Sequence, residues 1–266
     1  MPGKGARMSS TNGRYLRLSR PRRVISDLVH FAHKIPSVPV ERHMRLGEVV
    51  RARRDAGTSV SWCSIFTKAY GLVSAEVPEF RRAYIAHPWA RLYEHPHSIA
   101  SVAVERIYQG EPSVFFVHLR SPETQPLPAL EEHLRRFKTE PIESIPLFRR
   151  ALLVGSYPRF VRHLLWELSL NWSGVKKAKR LGTFGVSVYS GLGAASLHPL
   201  SPLTTALNYG VIDERGEVDV RIIYDHRVMD GATVARALRR LEETLCGAIC
   251  QELRNCIHQI TPGHAA

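Results

Sequence analysis

Residues 221–231 read Arg-Ile-Ile-Tyr-Asp-His-Arg-Val-Met-Asp-Gly, and this stretch decides the fold. Its first half is an apolar run, which predicts a buried strand. Between Met229 and Leu245 the apolar residues recur at the spacing of one helix face, at Val234, Leu238, Leu241 and Leu245. The sequence therefore predicts a strand that passes directly into a helix, with His226 at the junction.

His226 is the candidate acid–base residue. A histidine at such a junction is held by packing on both sides, and its ordinary pKa near 6.5 suits proton transfer at neutral pH. The bare spacing of His226, Asp230 and Gly231 is weak evidence, because about one chain in twenty of this composition would show it by chance. On the residues alone, a second interpretation stays open: Asp230 caps the helix, Gly231 eases the turn, and His226 merely ends the strand.

Tyr-Asp-His-Arg-Val-Met-Asp-Gly-Ala, residues 224–232, closely resembles the signature of the dihydrolipoyl acyltransferases of 2-oxoacid dehydrogenase complexes. Those enzymes share a catalytic domain with the chloramphenicol acetyltransferases. The chloramphenicol acetyltransferases tend to have two adjacent histidines at this position, so Asp225 before His226 favours the dihydrolipoyl acyltransferases. Gly-Thr-Phe-Gly-Val-Ser, residues 182–187, is similar to the family segment that ends in an oxyanion-binding serine. His-Pro-Leu-Ser-Pro, residues 198–202, resembles the proline-rich stretch before the strand at 206–212.

The resemblance covers residues 20–255 in the order of the family. It implies a chloramphenicol acetyltransferase-like α/β fold, a two-layer sandwich with helices packed on a mixed sheet. The segments that carry it are an opening helix at 22–26 with a strand at 34–36, a helix at 60–80, a strand pair at 93–104 and 112–119, and a helix at 130–137.

Length and composition predict one catalytic domain. The chain has 266 residues, of which 44% are hydrophobic, and can bury a substantial core. We expect this domain at 21–256, between a flexible basic tail at 1–20 and a C-terminal tail at 257–266. Residues 1–20 cannot hold the lipoyl domain of the multidomain relatives, so we expect a standalone form. The sequence shows neither an apolar run of membrane-spanning length nor the apolar segment of a signal peptide, which predicts a cytoplasmic protein.

The formal net charge of +13 has several interpretations. It fits nucleic acid, an anionic membrane surface, or an anionic cofactor such as coenzyme A. The basic residues are scattered and no nucleic-acid-binding signature accompanies them, which argues against nucleic acid. The four cysteines and the His95-Pro-His97 pair have no zinc-ligand spacing, so we predict no bound metal.

Residues 141–181 depart most from the family. Bulky apolar and basic side chains alternate at 146–154 and 157–172, which predicts two amphipathic helices separated by Gly155–Pro158. One interpretation is ordinary packing of two half-buried helices. The other is that their apolar faces dock on a membrane, at its inner face, or line a pocket for a long acyl or lipid-like substrate.

The resemblance implies roles for individual residues. His226 acts as general base and then returns the proton to the leaving group, while Ser187 stabilises the oxyanion of the tetrahedral intermediate. Asp230 forms a buried ion pair with Arg22 or Arg23 that braces the turn at Gly231. The site lies between subunits of a homotrimer, where the histidine of one subunit faces the serine of the next.

Two functions follow from these observations. The first is an acyltransferase that moves an acyl group between a coenzyme A thioester and a thiol, alcohol or amine, with a small or lipid-like acceptor. The second is a non-catalytic trimeric scaffold that keeps the fold. His226, Ser187, Asp230 and Gly231 are all present, and they favour the enzyme because a scaffold needs no acid–base group opposite an oxyanion donor.

Overall fold

The computed structural model describes residues 13–56 and 60–260. The remaining parts of the predicted tails, 1–12 and 261–266, lie outside the described residues. None of the helices in the described ranges is both long and apolar enough to cross a membrane.

The described part of the chain contains eight strands and nine α-helices. The strands are β1 Ser37–Arg45, β2 Arg82–Ile85, β3 Arg91–Glu94, β4 Ile99–Tyr108, β5 Glu111–Arg120, β6 Phe184–Val186, β7 Thr205–Tyr209 and β8 Glu217–Asp225. The helices are α1 Arg20–Ala32, α2 Gly47–Asp55, α3 Trp62–Glu76, α4 Leu127–Thr139, α5 Pro146–Ser156, α6 Arg159–Leu170, α7 Gly174–Leu181, α8 Gly231–Thr244 and α9 Cys250–Ile260.

Six of the strands form one mixed sheet in the order β1-β8-β7-β6-β4-β5. The β4–β6 and β6–β7 pairs are parallel, and the other neighbours are antiparallel. Strands β2 and β3 form a separate antiparallel pair. This architecture confirms the predicted mixed α/β fold with helices packed on the sheet.

The main core lies on one face of the six-stranded sheet. Alternate residues of each strand point into it, so that Val102, Val104, Phe115 and Val117 are almost fully buried against α3, α4 and α8. A second, smaller core lies on the opposite face, where Leu28 and Phe31 of α1 pack on Trp166 of α6. The sheet is therefore covered on both faces, but unequally.

The predicted strand-to-helix junction is present, with shifted bounds. Strand β8 ends at Asp225, and α8 begins at Gly231. The segment predicted as one strand at 93–104 is divided between β3 and β4 by a bend at His95–Ser98, where Pro96 cannot donate a ladder hydrogen bond. The strand predicted at 34–36 begins only at Ser37, after Pro36.

The divergent segment contains the two predicted amphipathic helices. Helices α5 and α6 are separated by Tyr157 and Pro158, and α7 follows them. Their inner faces pack on α1 and on the sheet. Phe160, Leu164 and Leu168 form a stripe on the outer face of α6 that stays exposed. The inner sides of α5 and α6 are therefore buried, whereas the outer side of α6 is uncovered in a single chain.

Candidate functional site

His226 lies directly after β8 on a turn that is held at both ends. Its backbone N–H donates to the carbonyl of Pro36 at 3.1 Å, and its ring is 50% exposed. The Nδ1 atom lies 3.7 Å from Asp230 Oδ1, and the ring is tilted against Tyr224. The imidazole is therefore positioned by the backbone and remains accessible from outside the chain.

Asp225 and Arg227 brace this turn. The Asp225 carboxylate is almost fully buried and accepts from Arg227 Nε at 2.9 Å and Nη2 at 2.7 Å. It also accepts from the backbone N–H of Arg227, and the guanidinium lies 4.3 Å from the ring centroid of Tyr84. This two-pronged pair fixes the backbone on both sides of His226. Sequence reasoning missed it, although both residues adjoin His226 in the sequence.

The predicted ion pair of Asp230 with Arg22 or Arg23 is wrong within this chain. The side chain of Asp230 is 84% exposed. Arg22 pairs with Glu111, and Arg23 donates to the carbonyls of Leu18 and Gly155. The physical reason is the position of α1, which packs against β5 and α5 at one edge of the sheet, whereas β8 lies next to the opposite edge.

Gly231 lies where there is little room for a side chain. A Cβ atom at this position would lie 3.2 Å from the hydroxyl oxygen of Tyr224. The glycine thus lets the start of α8 approach the end of β8 closely.

Lys177 is a second residue near this turn that sequence reasoning did not single out. It is buried in α7, and its Nζ donates to the carbonyl of Tyr84. Burial lowers the pKa of Lys177 to about 8, while the Asp225 carboxylate opposes this shift and Arg227 adds to it. A buried lysine inside a basic helix has no signal in the sequence that separates it from its exposed neighbours.

Ser187 directly follows β6. It lies at the end of the strands opposite to His226. Its backbone N–H donates to the carbonyl of Leu207 at 3.1 Å, and its own carbonyl accepts from the side-chain amide of Asn208. Because successive side chains of a strand point to opposite faces, residues 185 and 187 share one face of the sheet. This is the face opposite the main core. Ser187 is therefore held rigidly with its side chain on the second face.

The fold does not bring Ser187 and His226 together within one chain. Ser187 lies beside Asn208, which pairs with Arg221 of β8. His226 is five residues further along β8, so the two are separated by two strands and, at ~3.3 Å per residue, by roughly 16 Å along the strands. One chain thus presents an accessible histidine at one end and a serine at the other.

Ser187 lines a cavity of about 850 Å³ between the second face of the sheet and the helices α1, α5, α6 and α7. The walls are mainly apolar and include Leu28, Leu147, Leu165 and Trp166. The volume is within the usual range of small-molecule sites, roughly 300 to 1,000 Å³. The divergent segment of the sequence therefore forms a large part of a cavity that the predicted oxyanion residue, Ser187, also lines.

A buried ion pair joins two walls of this cavity. Arg162 of α6 donates to both carboxylate oxygens of Asp27 in α1, at 2.6 and 3.1 Å, and His163 Nε2 lies 3.3 Å from the same carboxylate. The hydrogen bond from Arg162 to Asp27 raises the pKa of the guanidinium. Arg162, one of the basic side chains that alternate with apolar ones at 157–172, therefore connects α6 to α1. Its partner is 135 positions away, which local patterns cannot predict.

Comparisons with known proteins support the fold at low sequence identity. No protein-family model and no curated protein sequence matches the chain. Among solved structures, it is similar to a probable dihydrolipoamide acetyltransferase from Listeria monocytogenes, with 15% identity and a TM-score of 0.64 over 97% of this chain and 99% of the other. It is also similar to the cubic core of the pyruvate dehydrogenase multienzyme complex, with 18% identity and a TM-score of 0.64 over 93% and 98%.

A third similar structure is the dihydrolipoamide acetyltransferase of Azotobacter vinelandii, with 17% identity and a TM-score of 0.63 over 93% and 98%. That structure was solved to define the roles of a serine, a histidine and an asparagine in the catalytic mechanism. The resemblance identified from the sequence is thus confirmed at the level of the fold.

Proposed function

We propose that this chain is an acyltransferase that moves an acyl group between a coenzyme A thioester and a thiol, alcohol or amine acceptor. The observation that carries the proposal is the placement of Ser187 on the floor of an apolar cavity, in a fold similar to that of dihydrolipoamide acetyltransferases. The accessible, backbone-anchored His226 supplies the complementary acid–base group.

His226 acts as the general base. It removes the proton of the attacking nucleophile and gives it to the leaving group when the tetrahedral intermediate collapses. Asp230 lies beside Nδ1, which leaves Nε2 for proton transfer. The Asp225–Arg227 pair positions the ring through the backbone and does not touch the reacting atoms.

Ser187 donates a hydrogen bond to the carbonyl oxygen as negative charge develops on it. Such a bond is stronger in the transition state than in the ground state, so it lowers the barrier. The hydrogen bonds to Leu207 and Asn208 hold the Ser187 backbone before substrate arrives. This preorganisation reduces the reorganisation needed during the reaction.

The complete site requires a second copy of the chain. A head-to-tail contact that repeats around a closed ring brings one end of a subunit against the other end of its neighbour. In a homotrimer of this kind, His226 of one subunit faces Ser187 of the next. The separation of the two residues within one chain supports this arrangement.

Thioester turnover tests the proposed function. We expect release of free coenzyme A from acyl-CoA donors that depends on an added thiol, alcohol or amine acceptor. Products should be followed by mass spectrometry, because Cys246 is exposed and would react with a thiol-trapping dye. A stable, correctly folded oligomer with no acceptor-dependent turnover across donors from acetyl-CoA to decanoyl-CoA would contradict the enzyme and favour the scaffold.

A further inference from the structure

Small residues form much of the cavity floor on β4, β6 and β7, and the larger Val114, Phe116 and His118 lie on the neighbouring β5. Ser101 and Ala103 of β4, Gly185 of β6 and Ala206 of β7 line it, and all four are small compared with the side chains of the walls. Large side chains at these positions would fill the space, as Phe115, Phe184 and Leu207 do on the main-core face. The open volume is thus a consequence of which residues face this side of the sheet.

The cavity is continuous with the position of the reacting carbonyl. Ser187 lines it, and Leu165 and Trp166 of α6 line its walls. If Ser187 contacts the carbonyl oxygen, as the proposed function requires, the chain attached to that carbonyl extends along the small-residue floor between apolar walls. An acetyl group would leave most of this space without contacts.

His118 and Ser101 form a polar pair on this floor. They are direct partners in the antiparallel β4–β5 ladder, and both line the cavity. Burial lowers the pKa of His118 to about 4, and Arg120 adds to this effect. The imidazole is therefore neutral at pH 7, with one nitrogen that donates and one that accepts.

Neither His118 nor Ser101 makes a side-chain hydrogen bond to the described part of the chain. Two other polar groups of the cavity have partners, since Arg180 donates to Ser169 and the Ser201 hydroxyl accepts from the backbone N–H of Leu203, whereas Glu105, Arg150 and Tyr189 are exposed at its margins. A polar group in apolar surroundings is costly unless it has a partner. The pair thus offers a donor and an acceptor to whatever occupies the cavity.

The pair lies at a defined distance from Ser187. Ser101 is level with Gly185, two residues before Ser187, and His118 is one strand further away. Strand spacing and rise place the backbones of His118 and Ser187 about 12 Å apart. An atom that His118 contacts is therefore several carbon atoms from a carbonyl at Ser187.

We propose that the cavity binds an acyl chain that is apolar except for one hydroxyl or keto oxygen several carbons from the carbonyl, and that His118 and Ser101 hydrogen-bond this oxygen. This specificity rests on the proposed function for the placement of the carbonyl. It assigns His118 and Ser101 to substrate selection and leaves the chemistry to Ser187 and His226.

The test is equilibrium binding by titration calorimetry without acceptor. The probes are acetyl-CoA, decanoyl-CoA, and a series of decanoyl-CoAs with one hydroxyl or keto group at successive positions from the third carbon to the ninth. We expect decanoyl-CoA to bind at least tenfold more tightly than acetyl-CoA, since each additional methylene buried against the apolar walls strengthens binding. One internal oxygenated isomer should bind about tenfold more tightly again, as for one neutral hydrogen bond.

His118→Leu should remove the preference for the oxygenated isomer and leave binding of decanoyl-CoA unchanged or tighter. His118→Gln keeps a donor and an acceptor and should retain part of the preference. His133→Leu is the matched control, because His133 is exposed on α4 outside the cavity. Ala103→Phe should reduce binding of every decanoyl chain and spare acetyl-CoA, provided that its melting temperature matches that of the parent.

Equal binding of all decanoyl-CoAs, or a preference that survives in His118→Leu, would overturn the inference. Because the readout is binding, its failure is distinct from failure of the proposed function. Turnover without any preference for an oxygenated chain would contradict only the specificity, and selective binding without turnover would contradict only the acyltransferase.

Discussion

His226→Ala is expected to lower the rate of acyl transfer by about two to four orders of magnitude, as for removal of a general base. The ring is accessible, is anchored through its backbone to Pro36, and contributes little to the core, so the fold should survive. Single-turnover measurements with acyl-CoA and acceptor, both saturating, isolate the chemical step. The melting temperature and oligomer should match those of the parent protein.

His43→Ala is the matched control for this variant. His43 lies on β1, its side chain is 54% exposed, and its Nδ1 atom lies 2.8 Å from Asp219, so it resembles His226 in exposure and in having an acidic neighbour. Its loss should leave turnover within about twofold of the parent, as expected for a surface position outside the reaction. A His226→Ala variant as active as His43→Ala would remove His226 from the mechanism.

Ser187→Ala is expected to lower kcat by a factor on the order of one hundred, as for the loss of one oxyanion donor. The reason is that the hydroxyl stabilises charge that develops only in the transition state, so KM should change much less than kcat. Steady-state kinetics over a range of acyl-CoA concentrations measure the two constants separately. A rise confined to KM would make Ser187 a binding residue.

Ser201→Ala provides the comparison for Ser187→Ala. Ser201 also lines the cavity, but its hydroxyl accepts from the backbone N–H of Leu203. Its removal should cost a local hydrogen bond and little activity. Similar losses of kcat in both variants would point to a general disturbance of the cavity.

The sequence predicted the elements that depend on local patterns. The strand β8, the helix α8 and the position of His226 between them follow from apolar spacing over 25 residues, 221–245. The two helices of the divergent segment follow in the same way. The bend between β3 and β4 was missed because the residue pattern typical of a strand is present on both sides of Pro96.

The contacts between distant segments could not be read from these patterns. The Asp27–Arg162 ion pair joins residues 135 positions apart, and nothing in either helix identifies its partner. The predicted Asp230 pair is wrong within this chain because α1, which carries Arg22 and Arg23, packs against β5 and α5, away from the turn after β8. The cavity depends on four small residues on three strands, and none of them stands out within its own segment of the sequence.

We propose that two subunits build one active site, with His226 from one and Ser187 from the other. Subunit mixing tests it most directly. The impaired His226→Ala and Ser187→Ala proteins are dissociated, mixed in equal amounts and reassembled. The double variant mixed with the parent is the control for exchange.

In randomly mixed trimers about a quarter of the interfaces combine an intact His226 with an intact Ser187, so activity should return to about a quarter of the parent value. Each variant reassembled alone should stay at or below about 1% of the parent activity. If mass spectrometry shows mixed trimers and activity does not rise above that of the single variants, the two residues do not act across a subunit interface and the account is contradicted.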